Sequence, residues 1–431
     1  MTARHRPHTP AASRLVVVGQ GYVGLPLAMA AVDAGYDVIG YDVDPRRVKT
    51  LAEAESFTGD VLRTQVAAAL RSGRYRVTDE DRAFEDGFDI AVVTVPTPLR
   101  GGEPDLSFVE SAGDVLGRHL RPGGLVVLES TTYPGTTEDV FGPRLEARSG
   151  LVAGRDFRLA YSPERIDPGN ERWTLRSTPK LVAGIDEASA DAARAFYAHI
   201  VDEVVPVANV REAELAKLVE NTFRHLNVAL VNELAVCADD LGIDIWAALD
   251  AAATKPFGFM RFTPGPGVGG HCLPVDPTYL AWAVRQRTQR PFRLVEAANE
   301  VNHEMPRYVT RRIAETLNRQ GLAVSRSRLL LLGLAYKPDT ADTRESPAVA
   351  VAELVAAAGA DVRIADPHVD PETAAGVGGT LVELTPAEVA AADLVVLLTP
   401  HSQLDDDLVV AHATAVLDTR HHLEGPHVEY L

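Results

Sequence analysis

Only two cysteines, Cys237 and Cys272, occur in 431 residues, too few for a disulfide framework and without the clustered spacing of a zinc site, so no metal is expected. Lysine is almost as scarce: Lys49, Lys180, Lys217, Lys255 and Lys337 stand against 37 arginines. Where nearly every generic cation is arginine, each remaining lysine is a candidate for a role that needs a compact ammonium, although Lys49 and Lys180 read equally well as chance survivors. Positive charge is in deficit as a whole. The formal net charge of −18 argues against a nucleic-acid partner while leaving room for a small anionic ligand in a locally basic pocket. No apolar run approaches the width of a bilayer, and Met1 to Ser13 is polar, without the hydrophobic core of a secretory signal. A disordered tail over residues 1–13, no membrane partner and a cytoplasmic location are therefore expected. With 46% hydrophobic residues, the chain is long enough for two or three cores.

What is present begins with a strand, a glycine turn and a helix. Arg14-Leu-Val-Val-Val-Gly19 reads as a buried strand and Leu25 to Ala34 as a helix, and Gly19, Gln20, Gly21, Tyr22, Val23 and Gly24 form G-x-G-x-x-G between them. Glycine lets the backbone approach a pyrophosphate, whose charge the open N–H groups of a helix N-terminus would meet. The motif alone is weak, but Asp37-Val-Ile-Gly-Tyr-Asp42 supplies the next strand with a carboxylate at its end. Asp42 is placed to accept hydrogen bonds from an adenosine ribose and to repel a 2′-phosphate. NAD is thus favoured over NADP, with Arg46 and Arg47 close enough to reverse the preference. Asp44 is expected to open a turn with Pro45. A nucleotide-free version of the same fold is the plainer alternative.

Three further runs, Phe88 to Pro96, Gly124 to Thr131 and Phe157 to Glu164, read as parallel strands. They deliver Thr97, Thr131 and Glu164 to the carboxyl edge of the sheet, where ligands of open α/β sheets lie. Each has a bland reading too: the threonines as turn or cap residues, Glu164 as a solvated loop charge rather than a general base. Lys180 to Gly184 is expected to end the sheet, and Ala188 to Ile200 to form an outer helix.

From about Asn209 the texture changes. Arg211 to Leu241 has no Pro or Gly and is expected to form one long helix and a dimer surface. Glu214, Lys217 and Asn221 recur at i, i+3 and i+7, and Arg224 and Val228 continue that stripe. Lys217 and Asn221 are either a structural pair at an exposed edge or one wall of an active site. Cys237 reads as a packing residue. A second helix over Ile243 to Ala253 and a loop over Thr254 to Gly270 lead to Gly265-Pro-Gly-Val-Gly-Gly-His-Cys272-Leu-Pro-Val-Asp276-Pro277. Here little side-chain bulk would keep a ligand from the backbone, a setting that suits a thiolate attacking an aldehyde carbon. Asp276 could hold a water. The competing reading is a tight loop around an inert, buried cysteine. Pro277 to Arg287 and Pro291 to Gln320 read as further helices, the latter as one or two.

Arg328 to Ala335 starts a second α/β pattern, continued by a helix over Ala348 to Ala358, a strand over Asp361 to Asp366 and a last strand over Asp393 to Thr399. This half lacks G-x-G-x-x-G, so it should bind something other than a second dinucleotide. Lys337 and Arg344 in its first loop either meet phosphates or are solvated charges. The fold class that results is α/β, with two Rossmann-like doubly wound domains joined by a central helical dimerisation domain. The expected boundaries are 14–206 for the NAD-binding domain, 207–320 for the helical domain with the cysteine loop, and 321–431 for a nucleotide-sugar-binding domain.

From Arg14 to about Thr399 the order of motifs resembles the NAD-dependent nucleotide-sugar 6-dehydrogenases, which include UDP-glucose and GDP-mannose dehydrogenases. The resemblance rests on Gly19 to Gly24, Val95-Pro-Thr-Pro98, Ser130-Thr131, Ser162-Pro-Glu164, Glu214 to Asn221, Gly269-Gly-His-Cys272 through Asp276, and Leu334-Ala-Tyr-Lys337 through Arg344. It implies oxidation of a sugar 6-hydroxyl to a carboxylate in two hydride transfers to two NAD. Cys272 then looks like the nucleophile forming a thiohemiacetal and next a thioester. Lys217 and Asn221 would stabilise the oxyanion, Glu164 would be the base for hydrolysis, and Asp276 and Thr131 would position water. The resemblance further implies cofactor contacts from Gly19, Gln20, Gly21, Tyr22, Val23, Gly24, Asp42, Arg47, Thr97 and Thr131. Substrate contacts would come from Glu164, Arg165, Lys217, Asn221, Arg224, Phe262, Gly267, Gly269, Lys337 and Arg344.

For the substrate, Val275 stands where the UDP-glucose branch usually has lysine. Glu220-Asn-Thr-Phe-Arg224, Lys255-Pro-Phe-Gly258 and Gly-His-Cys look like the N-acetylhexosamine branch, so UDP-N-acetylglucosamine or its manno epimer is expected, in a homodimer or higher homo-oligomer. UDP-glucose or dTDP-glucose is the runner-up within the class. Outside it stand a silent nucleotide-sugar or NAD sensor and a two-electron hydroxy-acid dehydrogenase. The first has no need of the whole set of catalytic residues, and the second none of the third domain.

Overall fold

The computed structural model describes residues 13–58, 60–166, 170, 172–270 and 273–431. Most of the tail expected over residues 1–13, together with His271 and Cys272, lies outside them. Ser13 itself is buried, and its carbonyl accepts the Asp37 N–H. The chain divides into two compact units, residues 1–220 with 278–287, and 221–277 with 288–431.

The first unit is built on β1 (Arg14–Val18), β2 (Asp37–Tyr41), β3 (Tyr75–Thr78), β4 (Ile90–Val93), a short hairpin of β5 (Leu99–Arg100) and β6 (Glu103–Pro104), β7 (Leu125–Leu128), β8 (Arg158–Tyr161), β9 (Lys180–Gly184) and β10 (Val204–Pro206). Outside the hairpin the strand order is β10-β9-β8-β7-β4-β1-β2-β3. β3 through β8 run parallel, and β9 pairs antiparallel with β8. Strands covered on both faces read as unbroken apolar runs: all of β4 and β7 is buried, and helices Gly24–Asp33 and Ser107–His119 contribute to the two cores. The order reverses between β1 and β4. Gly19, Thr94, Ser130 and Ser162 follow β1, β4, β7 and β8 at this one edge, which is where such sheets bind ligands. Lys180 to Gly184 does not end the sheet as expected. β10 lies outside it, a three-residue strand too short to show a period in the sequence. Asp44 is the N-cap of a helix, Pro45–Ala52, and accepts the Arg46 N–H, a role that proline at the first helical position fits as well as it fits a turn.

The second unit carries a parallel sheet of β11 (Arg328–Leu332), β12 (Asp361–Ala365), β13 (Thr380–Leu381), β14 (Leu394–Leu397), β15 (Val416–Asp418) and β16 (Val428–Tyr430), ordered β13-β12-β11-β14-β15-β16. The run at 393–399 is therefore not the last strand. Two three-residue strands follow it. The centre of this sheet has the arrangement of the first sheet around β1, with the order again reversing beside its first strand. After β12, Asp366 occupies the place that Asp42 has after β2. It accepts the backbone N–H groups of Leu334, Ala335 and His368, but also Nε2–H of the fully buried His401, 3.0 Å away. These bonds and the imidazole hold its carboxyl down at about 2, although burial alone would raise it. His401 Nδ1 in turn accepts the Asp339 N–H, so both ring nitrogens are engaged within the protein.

Arg293–Arg319 is one helix rather than two, with Pro306 inside it. The long helix is Val210–Asp240. On its second-unit portion Phe223, Leu230, Leu234 and Cys237 are exposed, as is Leu241 just beyond its end. Cys237 is thus not a packing residue within this chain. Its neighbours at four-residue spacing are themselves outward-facing, which an all-apolar composition could not reveal. No helix among the described residues is long and apolar enough to cross a membrane.

Candidate active site

The turn after β1 separates structural glycines from one that leaves room. Gly19 has φ +90°, and a Cβ there would lie 2.7 Å from Thr94 O. At Gly24 a Cβ would stand 1.8 Å from Gly19 O. A Cβ on Gly21 would meet nothing within 4 Å, so its absence serves no packing need of the chain and keeps open the space a pyrophosphate takes. No side chain caps the following helix. Gln20 is fully buried, with Nε2 donating to Val17 O and Oε1 accepting from the Tyr75 hydroxyl. Its backbone N–H donates to Asp42 Oδ2 at 2.7 Å. Arg47 pairs with Asp42 at 2.8 Å and Arg46 with Asp44 at 3.3 Å. Both arginines that could have favoured a 2′-phosphate already face carboxylates, and the residues present fit NAD. The two glycines give opposite expectations. Gly24→Ala should destabilise the domain by about 3 kcal/mol or more, measured by denaturant unfolding, as overpacking against backbone does. Gly21→Ala should leave unfolding in place while raising the Kd for NAD about tenfold, about 1.4 kcal/mol.

Beyond β8 the loop turns back on itself. Glu164 Oε1 accepts the N–H of Arg165 at 2.6 Å and that of Ile166. Its other oxygen, buried and without a hydrogen bond to a described residue, lies 3.7 Å from Lys180 Nζ. Glu164 is therefore not the solvated charge its loop suggested. Lys180, which read as a chance survivor, is only 3% exposed and pairs with the wholly buried Glu129 at 3.1 Å. Arg165 reaches Pro179 O and forms an ion pair at 2.9 Å with Glu220 on the long helix, one turn beyond Lys217. The structure thus joins the Glu164 loop to the Lys217 segment.

On that segment Glu214 is buried and accepts the N–H of Gly135, the N–H of Thr137 and the Thr137 hydroxyl at 2.6–2.8 Å. Burial pushes its carboxyl up to about 7 against the pull of these bonds. Glu214 fixes the loop after β7 that carries Thr131. Lys217 is 8% exposed, and no ion pair or side-chain hydrogen bond engages its ammonium among the described residues. Such a group is poised for an anion that the chain itself does not supply.

In the second unit Asn221 donates to Asp276, which is 3% exposed. The glycine run is not the open backbone its composition suggested. A Cβ on Gly269 would be 2.8 Å from Glu345 O and Pro347, one on Gly270 2.7 Å from the Tyr336 ring, and one on Gly267 3.0 Å from Asn302 O. The glycines are there because the loop lies flat on residues 336–347, and the Gly270 N–H donates to Arg344 O. That contact places Gly269 and Gly270 beside the segment of Lys337 and Arg344. Arg344 is exposed, with its guanidinium on Asp342 at 2.6 Å. Phe262 packs edge-on to Phe223, and Arg224 is exposed. Thr97 is buried and Tyr22 exposed.

Nothing in the local sequence distinguishes Glu129 from any strand-end carboxylate. The scarcity of lysine was the one signal that could have found its partner.

Residues 13–201, 211–304 and 330–425 match, respectively, the NAD binding, central and UDP binding domains of the UDP-glucose/GDP-mannose dehydrogenase family. The chain is 35% identical over 394 residues, 90% of each protein, to a UDP-N-acetyl-D-mannosamine dehydrogenase of Pyrococcus horikoshii. It is 35% identical over 395 residues, 90% of this chain and 91% of the other, to a UDP-N-acetyl-D-glucosamine 6-dehydrogenase of Pseudomonas aeruginosa. A solved UDP-D-ManNAc dehydrogenase structure from Pyrococcus horikoshii superposes with a TM-score of 0.87 at 33% identity, covering 97% of this chain and 98% of that one. With the two like-ordered sheets, the Gly21 cradle and the helix bearing Lys217 and Asn221 in hand, this chain is a member of the UDP-glucose/GDP-mannose dehydrogenase family, an NAD-dependent oxidoreductase acting on a CH–OH group.

Proposed function

We propose that the chain oxidises carbon six of a UDP-linked N-acetylhexosamine, gluco or manno, to the carboxylate. The observation that carries the reading is Lys217, a residue 8% exposed whose ammonium meets no counter-ion among the described residues, one helical turn before Asn221. Bound NAD supplies the hydride acceptor, and two are reduced per sugar. The Cys272 thiolate adds to the carbon-six aldehyde. The thiohemiacetal oxygen, and later the tetrahedral oxygen of thioester hydrolysis, carries negative charge that Lys217 and Asn221 offset with fixed donors. Asp276 holds the Asn221 amide in place. Glu164 takes a proton from the water that attacks the thioester, whose oxygen becomes the second carboxylate oxygen. Thr131, on the loop fixed by Glu214, helps hold that water, and Lys337 and Arg344 face the nucleotide. Substrate choice rests on the branch motifs together with the two N-acetylhexosamine relatives. NADH formation from a panel of sugar nucleotides, with products identified by mass, tests it: two NADH per UDP-N-acetylglucosamine or its manno epimer is expected, and negligible turnover of both beside brisk oxidation of UDP-glucose would reverse it. No NADH from any of them would leave a sensor.

The exposed seam of Phe223, Leu230, Leu234, Cys237 and Leu241 repeats at seven-residue spacing with fours and threes between. Such a seam buries itself against a second helix, and a second copy of this chain is the proposed partner. Leu230→Asp with Leu234→Asp should yield monomers by sedimentation at concentrations where the parent is dimeric.

A further inference from the structure

Lys180 Nζ lies 3.1 Å from Glu129 Oε1, 3.2 Å from Pro163 O and 3.7 Å from Glu164 Oε2, with its ammonium 5.3 Å from the centre of the Tyr197 ring. We infer that Lys180 is a positioning residue for the hydrolytic step: a buried ammonium that keeps the Glu164 carboxylate ionised and oriented, with Glu129 as the counter-charge that allows the ammonium to be buried. The inference rests on Glu164 being the base.

Three features of the cluster carry it. The backbone N–H groups of Arg165 and Ile166 hold one oxygen of Glu164 and so fix the carboxylate, leaving the oxygen nearest Lys180 with open acceptor capacity for a water proton. Among the described residues, the charged and titratable groups that meet the cluster are Glu129 after β7, Lys180 on β9, Tyr197 on the helix Glu187–Tyr197, and the adjoining Arg165, which is turned to Glu220. Among these Lys180 is the cation at ion-pair distance, and an opposite charge that close favours the ionised carboxylate. Glu129 is buried completely, is bonded by the Tyr197 hydroxyl, and is pushed upward by burial and by the charge of Glu164 while Lys180 pulls it down. The two carboxylates therefore compete for one ammonium. The choice of lysine in an arginine-rich chain fits as well: a site 3% exposed and closed by two carboxylates, a carbonyl and a ring admits a compact ammonium rather than a guanidinium fork.

The test is the pH dependence of uronate release in single-turnover quench over about pH 5 to 9, where a required base sets the acid limb. Lys180→Met should move that limb up by about one unit, a roughly tenfold loss on its lower side, while the NADH burst of the first oxidation keeps its pH profile. Glu129→Gln breaks the same buried pair but leaves the ammonium to Glu164 alone, so its limb should stay or move down. A role in packing alone would make the two variants alike, and a limb that stays put in Lys180→Met, or rises equally in Glu129→Gln, overturns the inference. Should Lys180→Met fail to fold, the double variant Glu129→Gln with Lys180→Met removes both charges together, and its limb must lie above that of Glu129→Gln. Glu164→Gln separates the premise: if it releases uronate at the parent rate, the base assignment falls whatever Lys180 does. If it stops release while Lys180→Met shifts nothing, only the role of Lys180 falls.

Discussion

Replacing Cys272 with serine is expected to lower uronate formation by on the order of 10³-fold or more, with NAD still bound. The expectation follows from the chemistry of the second oxidation. The carbon of an aldehyde does not give up its hydride until a nucleophile has added to make a tetrahedral centre whose oxygen can re-form the carbonyl, and at neutral pH a thiolate adds far more readily than an alcohol. The variant should therefore fall from two NADH per sugar towards one as aldehyde escapes. Product mass and NADH stoichiometry are the readouts, and uronate made at the parent rate with two NADH would remove the covalent route altogether.

The second large effect is expected at Lys217, and it has two signs. Lys217→Met should lower kcat about 10²- to 10³-fold, the loss that follows removal of one donor to a developing oxyanion. Thermal stability should hold, or rise by up to about 1 kcal/mol, because the chain gives the ammonium of this mostly enclosed lysine no partner among the described residues. Lys180→Met should behave oppositely, costing about 3–5 kcal/mol by leaving Glu129 buried without its cation. Chemical unfolding beside steady-state kinetics on both variants checks this. If Lys217→Met were the less stable of the two, Lys217 would be a structural residue.

Much of this was legible in the residues themselves. The six-residue glycine turn, Asp42, the long helix and the strand cores follow from period and composition, since central parallel strands are unbroken apolar runs and the helix has no Pro or Gly. Short strands such as β10, β15 and β16 were not, because three residues carry no period. The glycine run before Cys272 shows a different limit. Sequence reports that side chains are missing there but not what fills the space, and it is Tyr336, Glu345 and Pro347 that do. Lys180 and Cys237 were misread for one reason: whether a residue is enclosed depends on what lies across from it, and Glu129 and Glu164 reach Lys180 from other strands.

The carboxylate after β12 bears on how a repeated architecture divides its labour. Asp366 has the backbone bonds of a ribose-binding acid, yet an imidazole from after β14 stoppers it. A half that has closed this notch from within cannot compete with its twin for the soluble coenzyme pool. Unstoppering it by His401→Ala would not restore the lost trade, for the turn after β11 reads Gly333-Leu-Ala-Tyr-Lys337, with no bare glycine where a diphosphate would need to nestle.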